Sequence, residues 1–319
     1  MSNVRFEEFT FPSSNKRDTV HAYLFAPIDT PPRAVIQLSH GMCEYVLRYD
    51  LWARRFAAEG FVFCGNDHIG HGNTAPREEE LGFMGGEADA DHLVEDLHTM
   101  SSLMRERFKG LPLVLYGHSM GSFVARLYLS RYGKELAAAL ISGTAGPGQP
   151  TGLGKGLAAA IEKVKGDHHR SKLLTSVAFG SYNKRFAREK DEFSWLTRDE
   201  SVRRAYAADP FCRFVFTTAA YQTLFSLLGR ASSKKWAQTV PKSLPILIFS
   251  GSEDPVGGNG KGVRSVTERL RRAGHTAVTE RIYEGGRHEM HNELCRDEVF
   301  ADLMNYLNDV LKTEDTDDT

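Results

Sequence analysis

The chain has 319 residues, with 40 Lys and Arg against 41 Asp and Glu, for a formal net charge of −1. This length suffices for one large α/β domain or two smaller ones. The balanced charge gives no basic surface for nucleic acid and no electrostatic attachment to a membrane, so we expect no nucleic-acid partner.

The compartment signals indicate the cytoplasm. Residues 1–8 are polar and lack the apolar core of a signal peptide, and no stretch of the sequence resembles a membrane span. Four cysteines, at positions 43, 64, 212 and 295, show no CxxC spacing. Scattered cysteines are typical of reduced thiols rather than of a disulfide framework, so we predict a cytoplasmic protein.

Apolar periodicity predicts strands and helices that alternate along most of the chain. The predicted strands, in chain order, are 4–11, 20–26, 34–38, 61–64, a strand from 111 into the Gly117 motif, 136–141, 245–251 and 278–283. The predicted helices are 49–57, 89–108, one that begins directly after Ser119, 263–273 and 297–311. This alternation predicts an α/β fold with a mostly parallel, doubly wound sheet.

One long segment interrupts the alternation. It begins with the Gly- and Pro-rich stretch 143–148 and then becomes helical and aromatic. An insertion at the ligand-binding edge of such a sheet usually forms a cap. We therefore assign 1–143 and 243–319 to the core and 144–242 to a helical cap. Its aromatic residues either pack the cap itself or line a substrate channel, for which Phe179, Phe211 and Phe214 are the candidates.

The sequence Gly117-His118-Ser119-Met120-Gly121 follows a predicted strand and precedes a predicted helix. Chance alone would place a Gly-x-Ser-x-Gly pattern in about one chain in ten of this length, given average composition. The strand–turn–helix context favours a nucleophile elbow, in which the glycines permit a sharp turn that exposes the serine. The alternative is a glycine-rich structural turn.

A nucleophilic serine needs a base that a carboxylate orients. Asp254 and His288 each follow a predicted strand, and their order after Ser119 is the one expected for this kind of site. Glu253 is a competing acid and His291 a competing base, while Asp254 could instead form a structural turn before Pro255. We favour Asp254 and His288 as the partners of Ser119.

Two backbone N–H groups, of Met42 and Met120, are the predicted donors to the oxyanion. No metal or cofactor is expected. Residues 288–291 are one residue short of His-Glu-x-x-His, and residues 257–262 lack the Ser or Thr that follows Lys in a phosphate loop. Residues 67–71, with the pattern Asp-His-x-x-His, could bind a metal, but we favour a hydrogen-bond network that braces the oxyanion loop.

Together these motifs resemble the monoacylglycerol lipase and lysophospholipase family of serine α/β-hydrolases. The resemblance implies an α/β-hydrolase fold, with Ser119, Asp254 and His288 as the triad and Met42 with Met120 as the oxyanion hole. Two positions, Tyr45 and Thr74, depart from the family pattern without touching the triad. The segments that carry the resemblance are 40–45, 48–49, 67–72, 117–121, 252–256 and 286–289.

The expected function is hydrolysis of carboxylic esters through an acyl-enzyme on Ser119. Monoacylglycerols or lysophospholipids are the expected substrates, so the partner is a small ester or lipid, and transient membrane contact through the cap stays open. The alternatives are a short-chain carboxylesterase, an iminopeptidase-like amidase, and a non-catalytic binding protein of the same fold.

Overall fold

The computed structural model describes residues 4–86 and 89–312, so the first three residues of the polar N-terminal segment 1–8 lie outside the described residues. Within these ranges eight strands form one sheet in the order β1-β2-β4-β3-β5-β6-β7-β8. The strands are β1 (Val4–Pro12), β2 (Thr19–Pro27), β3 (Ala34–Ser39), β4 (Phe61–Asn66), β5 (Leu113–His118), β6 (Ala138–Ser142), β7 (Ile246–Gly251) and β8 (Val278–Tyr283). Strand β2 runs antiparallel to β1 and β4, and the pairs from β4 to β8 are parallel. The predicted mostly parallel sheet is confirmed.

The helices alternate with the strands as the periodicity predicts, with bounds that differ from prediction by a residue or two. They are α1 (Asp50–Ala58), α2 (Asp89–Arg107), α3 (Met120–Tyr132), α4 (Thr151–Lys165), α5 (Lys172–Phe179), α6 (Glu200–Ala208), α7 (Thr218–Ala231), α8 (Trp236–Thr239), α9 (Lys261–Arg272) and α10 (Arg296–Leu311). None of the described helices is both long enough and apolar enough to cross a membrane.

The sheet buries both of its faces because side chains alternate along each strand. In β5, Leu113 and Leu115 belong to one hydrophobic cluster with side chains from α2, α3 and α9. Val114 and Tyr116 belong to the other cluster, with side chains from α1 and α10. Helices therefore cover both faces, which is the doubly wound arrangement.

Helices α4 to α8 lie between β6 and β7, in a segment that we call the insertion (residues 143–245). Helix α4 packs on α7, and α7 and α8 contact α3 of the sheet layer. Arg126 of α3 donates to Ala145 O at 3.0 Å and to Ala231 O at 2.5 Å. One buried guanidinium therefore holds the insertion near its beginning and again at the end of α7.

Candidate active site

Ser119 lies at the junction of β5 and α3 in a strained conformation. Its φ is 52°, in a region that residues other than glycine seldom adopt. Its N–H donates to Ser142 O at 3.0 Å. A Cβ added at Gly121 would lie 2.0 Å from Ser39 O, so only glycine lets the turn approach the end of β3 this closely. This turn exposes the Ser119 hydroxyl at the carboxyl edge of the sheet.

Two side chains from the ends of neighbouring strands extend a hydrogen-bonded series that starts at the Ser119 hydroxyl. His288 Nε2 lies 2.8 Å from Ser119 Oγ, and His288 Nδ1 lies 2.9 Å from Asp254 Oδ1. Asp254 Oδ2 also accepts from Ser250 Oγ at 2.5 Å, and Oδ1 accepts from Val256 N at 2.9 Å. The structure thus brings together the three residues that the sequence selects, in an arrangement able to move a proton from a hydroxyl to an imidazole.

The environment of His288 favours its charged form. Burial by itself lowers the pKa of the imidazole, but the carboxylate of Asp254, with smaller contributions from Glu289 and Glu44, outweighs burial, so the pKa of His288 is raised above 6.5. The Trp195 ring, from the insertion, packs with its centroid 5.1 Å from that of His288. His288 is therefore a base that is oriented, shielded from water and stabilised once it takes up a proton.

The competing acid and base lie elsewhere. The Glu253 carboxylate pairs with Arg185 at 2.6 Å. The His291 ring stacks on Tyr49 with a centroid distance of 4.1 Å, and its two nitrogens have no hydrogen-bond partner among the described residues. Burial lowers the pKa of His291 to about 3, so this ring stays neutral. Neither residue joins Ser119.

The two predicted oxyanion donors line the same cavity as Ser119. Within the described ranges, neither the Met42 N–H nor the Met120 N–H donates to a protein acceptor. A Cβ added at Gly41 would lie 3.0 Å from Ser119 Cβ, so the chain before Met42 passes directly against the serine. Two backbone donors near a nucleophile, both without a protein acceptor, can stabilise a negative oxygen.

An ion cluster connects the loop that contains Met42 to the loop that contains His288. Arg48 donates to Glu289 through two bonds of 2.8 and 2.9 Å and to Glu44 at 3.0 Å. Glu44 in turn accepts from the Gly41 N–H and from Tyr49 OH. Burial raises the pKa of Glu44 to about 7. The nearby Glu289 carboxylate adds to this rise, and the positive charge of Arg48 opposes it. Local sequence patterns do not reveal this cluster, because its members come from two distant loops.

The Asp67 and His68 motif braces the oxyanion loop through hydrogen bonds. Asp67 Oδ1 accepts from Val46 N at 2.9 Å, and the His68 N–H donates to His40 Nε2 at 2.9 Å. His71 takes no part in this bracing: its Nδ1 lies 3.0 Å from Ile69 O, and within the described ranges no hydrogen bond joins it to the oxyanion loop. Among the described residues no group of His, Cys, Asp or Glu side chains is placed to hold a metal ion.

A cavity of about 500 Å³ opens above Ser119, within the range of known ligand sites. Phe179 and Phe214 line it, as do further apolar side chains of α7 such as Leu224, Phe225 and Leu228. Phe211 does not line the cavity. The turn after Asp209 directs Cys212 to the cavity and leaves the Phe211 ring against Tyr45, with centroids 5.4 Å apart.

Comparison with known proteins places the chain in a family. The family model described as Hydrolase_4, serine aminopeptidase, S33, matches residues 30–295. The monoacylglycerol lipase of Mycolicibacterium smegmatis is 28% identical over 88% of this chain and 89% of its own length. Human monoglyceride lipase is 27% identical over 85% and 82%, respectively.

Solved structures agree with these relatives. A thermostable carboxyl esterase from Bacillus coagulans, solved in complex with glycerol, is 31% identical, covers 97% of this chain and 100% of its own, and superposes with a TM-score of 0.88. The resemblance and fold expected from the motifs are thereby confirmed, and so is the expectation of an enzyme. The chain belongs to the Hydrolase_4 family of α/β-hydrolases and is a carboxylic ester hydrolase related to the monoacylglycerol lipases.

Proposed function

We propose that the protein hydrolyses monoacylglycerols or lysophospholipids through an acyl-enzyme on Ser119, with His288 as the base and Asp254 as its orienting acid. The observation that carries this proposal is the unbroken hydrogen-bonded series from Ser119 Oγ through His288 to Asp254, at the base of the cavity. Such a series recurs on unrelated folds that activate a serine for acyl transfer.

In the first half of the reaction Ser119 Oγ attacks the ester carbonyl while its proton passes to His288 Nε2. The carbonyl π electrons move to the oxygen, whose negative charge the N–H groups of Met42 and Met120 stabilise. Asp254 holds the imidazolium that forms, consistent with the raised pKa of His288. The tetrahedral intermediate then expels the alcohol, which takes the proton from His288.

In the second half a water molecule attacks the acyl-enzyme. His288, neutral again, accepts a proton from this water and returns it to Ser119 Oγ when the fatty acid leaves. The same N–H groups stabilise the second oxyanion, so a single arrangement of groups serves both halves.

The lining of the cavity supports a lipid acyl chain as the substrate group. Residues 144–242, which we propose as the cap, contribute Phe179, Phe214 and the apolar side of α7. An acyl chain needs such continuous apolar surface, because each buried methylene contributes about 0.8 kcal/mol. The names of the relatives, monoacylglycerol lipase and monoglyceride lipase, support the same substrate class.

We further propose that α4 and α5 touch lipid surfaces transiently. Leu153 and Val164 of α4 are 80% and 78% exposed, and Leu173 and Val177 of α5 are 55% and 51% exposed. A cluster of exposed apolar side chains on one part of a protein is typical of an interaction surface.

The cytoplasmic location stays a prediction from the sequence.

A fluorophosphonate probe tests the nucleophile. We expect it to label the wild-type protein and not the Ser119→Ala variant, and a labelled alanine variant would refute the assignment. Hydrolysis of monoacylglycerols and lysophospholipids of graded chain length then tests the substrate class. Activity confined to acetyl and butyryl esters would identify a short-chain carboxylesterase instead.

Amide hydrolysis is the second candidate, because the matched family model carries the description serine aminopeptidase. An aminopeptidase needs a free carboxylate for the amine of its substrate. Among the described residues three carboxylates line the cavity, those of Glu44, Glu192 and Glu289. Glu44 and Glu289 pair with Arg48, and Glu192 is exposed, so water weakens its attraction for an amine. We therefore expect p-nitrophenyl esters to be cleaved faster than aminoacyl-nitroanilides, and the reverse order would favour the amidase.

A further inference from the structure

The peptide group between Gly41 and Met42 is held from its carbonyl side. His40 Nδ1 lies 2.8 Å from Gly41 O. The Gly41 carbonyl and the Met42 N–H belong to one planar trans peptide, so they point in opposite directions. A side chain that fixes this carbonyl therefore also fixes the direction of the Met42 N–H.

The hydrogen bonds of His40 determine which nitrogen carries its proton. The backbone N–H of His68 donates to His40 Nε2 at 2.9 Å. A backbone amide can only donate, so Nε2 presents its lone pair and the single proton of the neutral ring is on Nδ1. His40 is fully buried, and burial, with His68 and His71 nearby, keeps its pKa well below 6.5. The ring is therefore a neutral donor to Gly41 O.

Other contacts also restrict rotation of the Gly41–Met42 peptide. The Gly41 N–H donates to Glu44, which fixes the preceding peptide as well. On the other side, a Cβ at Gly41 would lie 3.0 Å from Ser119 Cβ and 3.3 Å from His118 Cδ2. The segment is thus confined between the serine and the bonds of His40 and Glu44.

We propose that His40 is a positioning residue for the oxyanion hole. Held in its Nδ1–H form by the His68 amide, it fixes the Gly41–Met42 peptide so that the Met42 N–H faces the oxygen of the transition state. This role rests on the proposed function, because it takes the Met42 N–H as an oxyanion donor. His40 itself does not touch the substrate.

Two substitutions separate the bonds of His40. In His40→Asn the amide nitrogen replaces Nδ1 and still donates to Gly41 O, but the bond from His68 is lost. In His40→Gln the amide oxygen replaces Nε2 and still accepts from His68, but the bond to Gly41 is lost. The matched control is His71→Asn, in the same buried cluster, where the amide can still donate to Ile69 O and no bond reaches the oxyanion loop.

The readout is the affinity for an alkyl trifluoromethyl ketone, measured beside kcat/KM. Ser119 Oγ adds to the ketone carbon, its proton passes to His288, and the carbonyl oxygen becomes an oxyanion, so binding reports the oxyanion hole. For His40→Gln we expect losses on the order of 10²-fold in both quantities, the lower range for loss of one oxyanion donor. We expect His40→Asn and His71→Asn to stay within about tenfold of wild type in both quantities, well short of that loss.

Three results would overturn the proposal. The first is His40→Gln with wild-type ketone affinity, and the second is His40→Asn, still folded, with a loss equal to that of His40→Gln. The third needs no variant: nitrogen NMR of labelled histidines in the wild type that finds His40 charged, or protonated on Nε2, at pH 7. Failure of the proposed function gives a different result, since labelling of Ser119→Ala by the fluorophosphonate would persist.

Discussion

Replacement of Arg48 by methionine tests the buried ion cluster behind the active site. The Arg48 side chain is 9% exposed and those of Glu44 and Glu289 are each 3% exposed. The substitution keeps much of the side-chain volume but leaves two buried carboxylates without their cation. Breaking a buried pair in this way costs about 3–5 kcal/mol, and we expect a loss of this size in the free energy of unfolding at pH 8.

The loss should shrink at lower pH. Arg48 holds the folded-state pKa of Glu289 at about 2, whereas that of Glu44 is already about 7. Without Arg48 both pKa values rise, that of Glu44 further above the value of about 4.3 in the unfolded chain and that of Glu289 towards and past it. A carboxyl group with a raised folded-state pKa stabilises the fold at low pH, and this contribution disappears as the pH rises through that pKa. The difference between Arg48→Met and wild type should therefore be smaller at pH 5 than at pH 8.

Urea unfolding followed by tryptophan fluorescence at both pH values measures the effect. The control is Arg54→Met, which removes a surface pair with Asp50 whose side chains are 45% and 46% exposed and which should cost less than about 1 kcal/mol. Equal losses for the two variants, or a loss for Arg48→Met that does not change with pH, would refute the reasoning.

Three further predictions concern the site and the cavity. Asp254→Asn should lower kcat by about 10⁴-fold. The rise of kcat/KM with pH, which is centred above 6.5 in wild type because neutral His288 is required, should move to lower pH, since the variant loses the main group that raises the pKa of His288. A pH profile with an unmoved limb would contradict this. Gly121→Ala should slow fluorophosphonate labelling and lower the free energy of unfolding by about 1–3 kcal/mol or more, because its Cβ would lie 2.0 Å from Ser39 O. Labelling at the wild-type rate would show that the turn tolerates a side chain. Leu228→Trp should reduce hydrolysis of long-chain esters and spare p-nitrophenyl acetate, and equal loss on both would place the acyl chain elsewhere.

Much of the fold follows from local patterns in the sequence. The strand predicted at 278–283 is found as Val278–Tyr283, and the helix predicted at 89–108 as Asp89–Arg107. Buried strands and amphipathic helices carry their signal within a few residues, so periodicity is enough to find them. The elbow at Ser119 could be placed in the same way, since its glycines, strand and helix are contiguous.

Contacts between distant segments could not be predicted. Phe211 and Cys212 are neighbours in the sequence, and only the turn after Asp209 decides which of them reaches the cavity. Arg48 and Glu289 are 241 positions apart, and no local pattern pairs them. His288 is favoured over His291 in the sequence because it follows just after a predicted strand, whereas the stacking of His291 on Tyr49 depends on the three-dimensional structure.

The attachment of the insertion to Arg126 makes it possible to exchange this segment between related proteins. Because one guanidinium donates to both Ala145 O and Ala231 O, the two ends of residues 145–231, which make up most of the insertion, lie close together. Segments whose ends lie close together can be replaced without stretching the host. Residues 146–230 therefore form a natural cassette, and transplanting this cassette between α/β-hydrolases that keep the arginine would exchange the walls of the cavity while leaving Ser119, Asp254 and His288 in place.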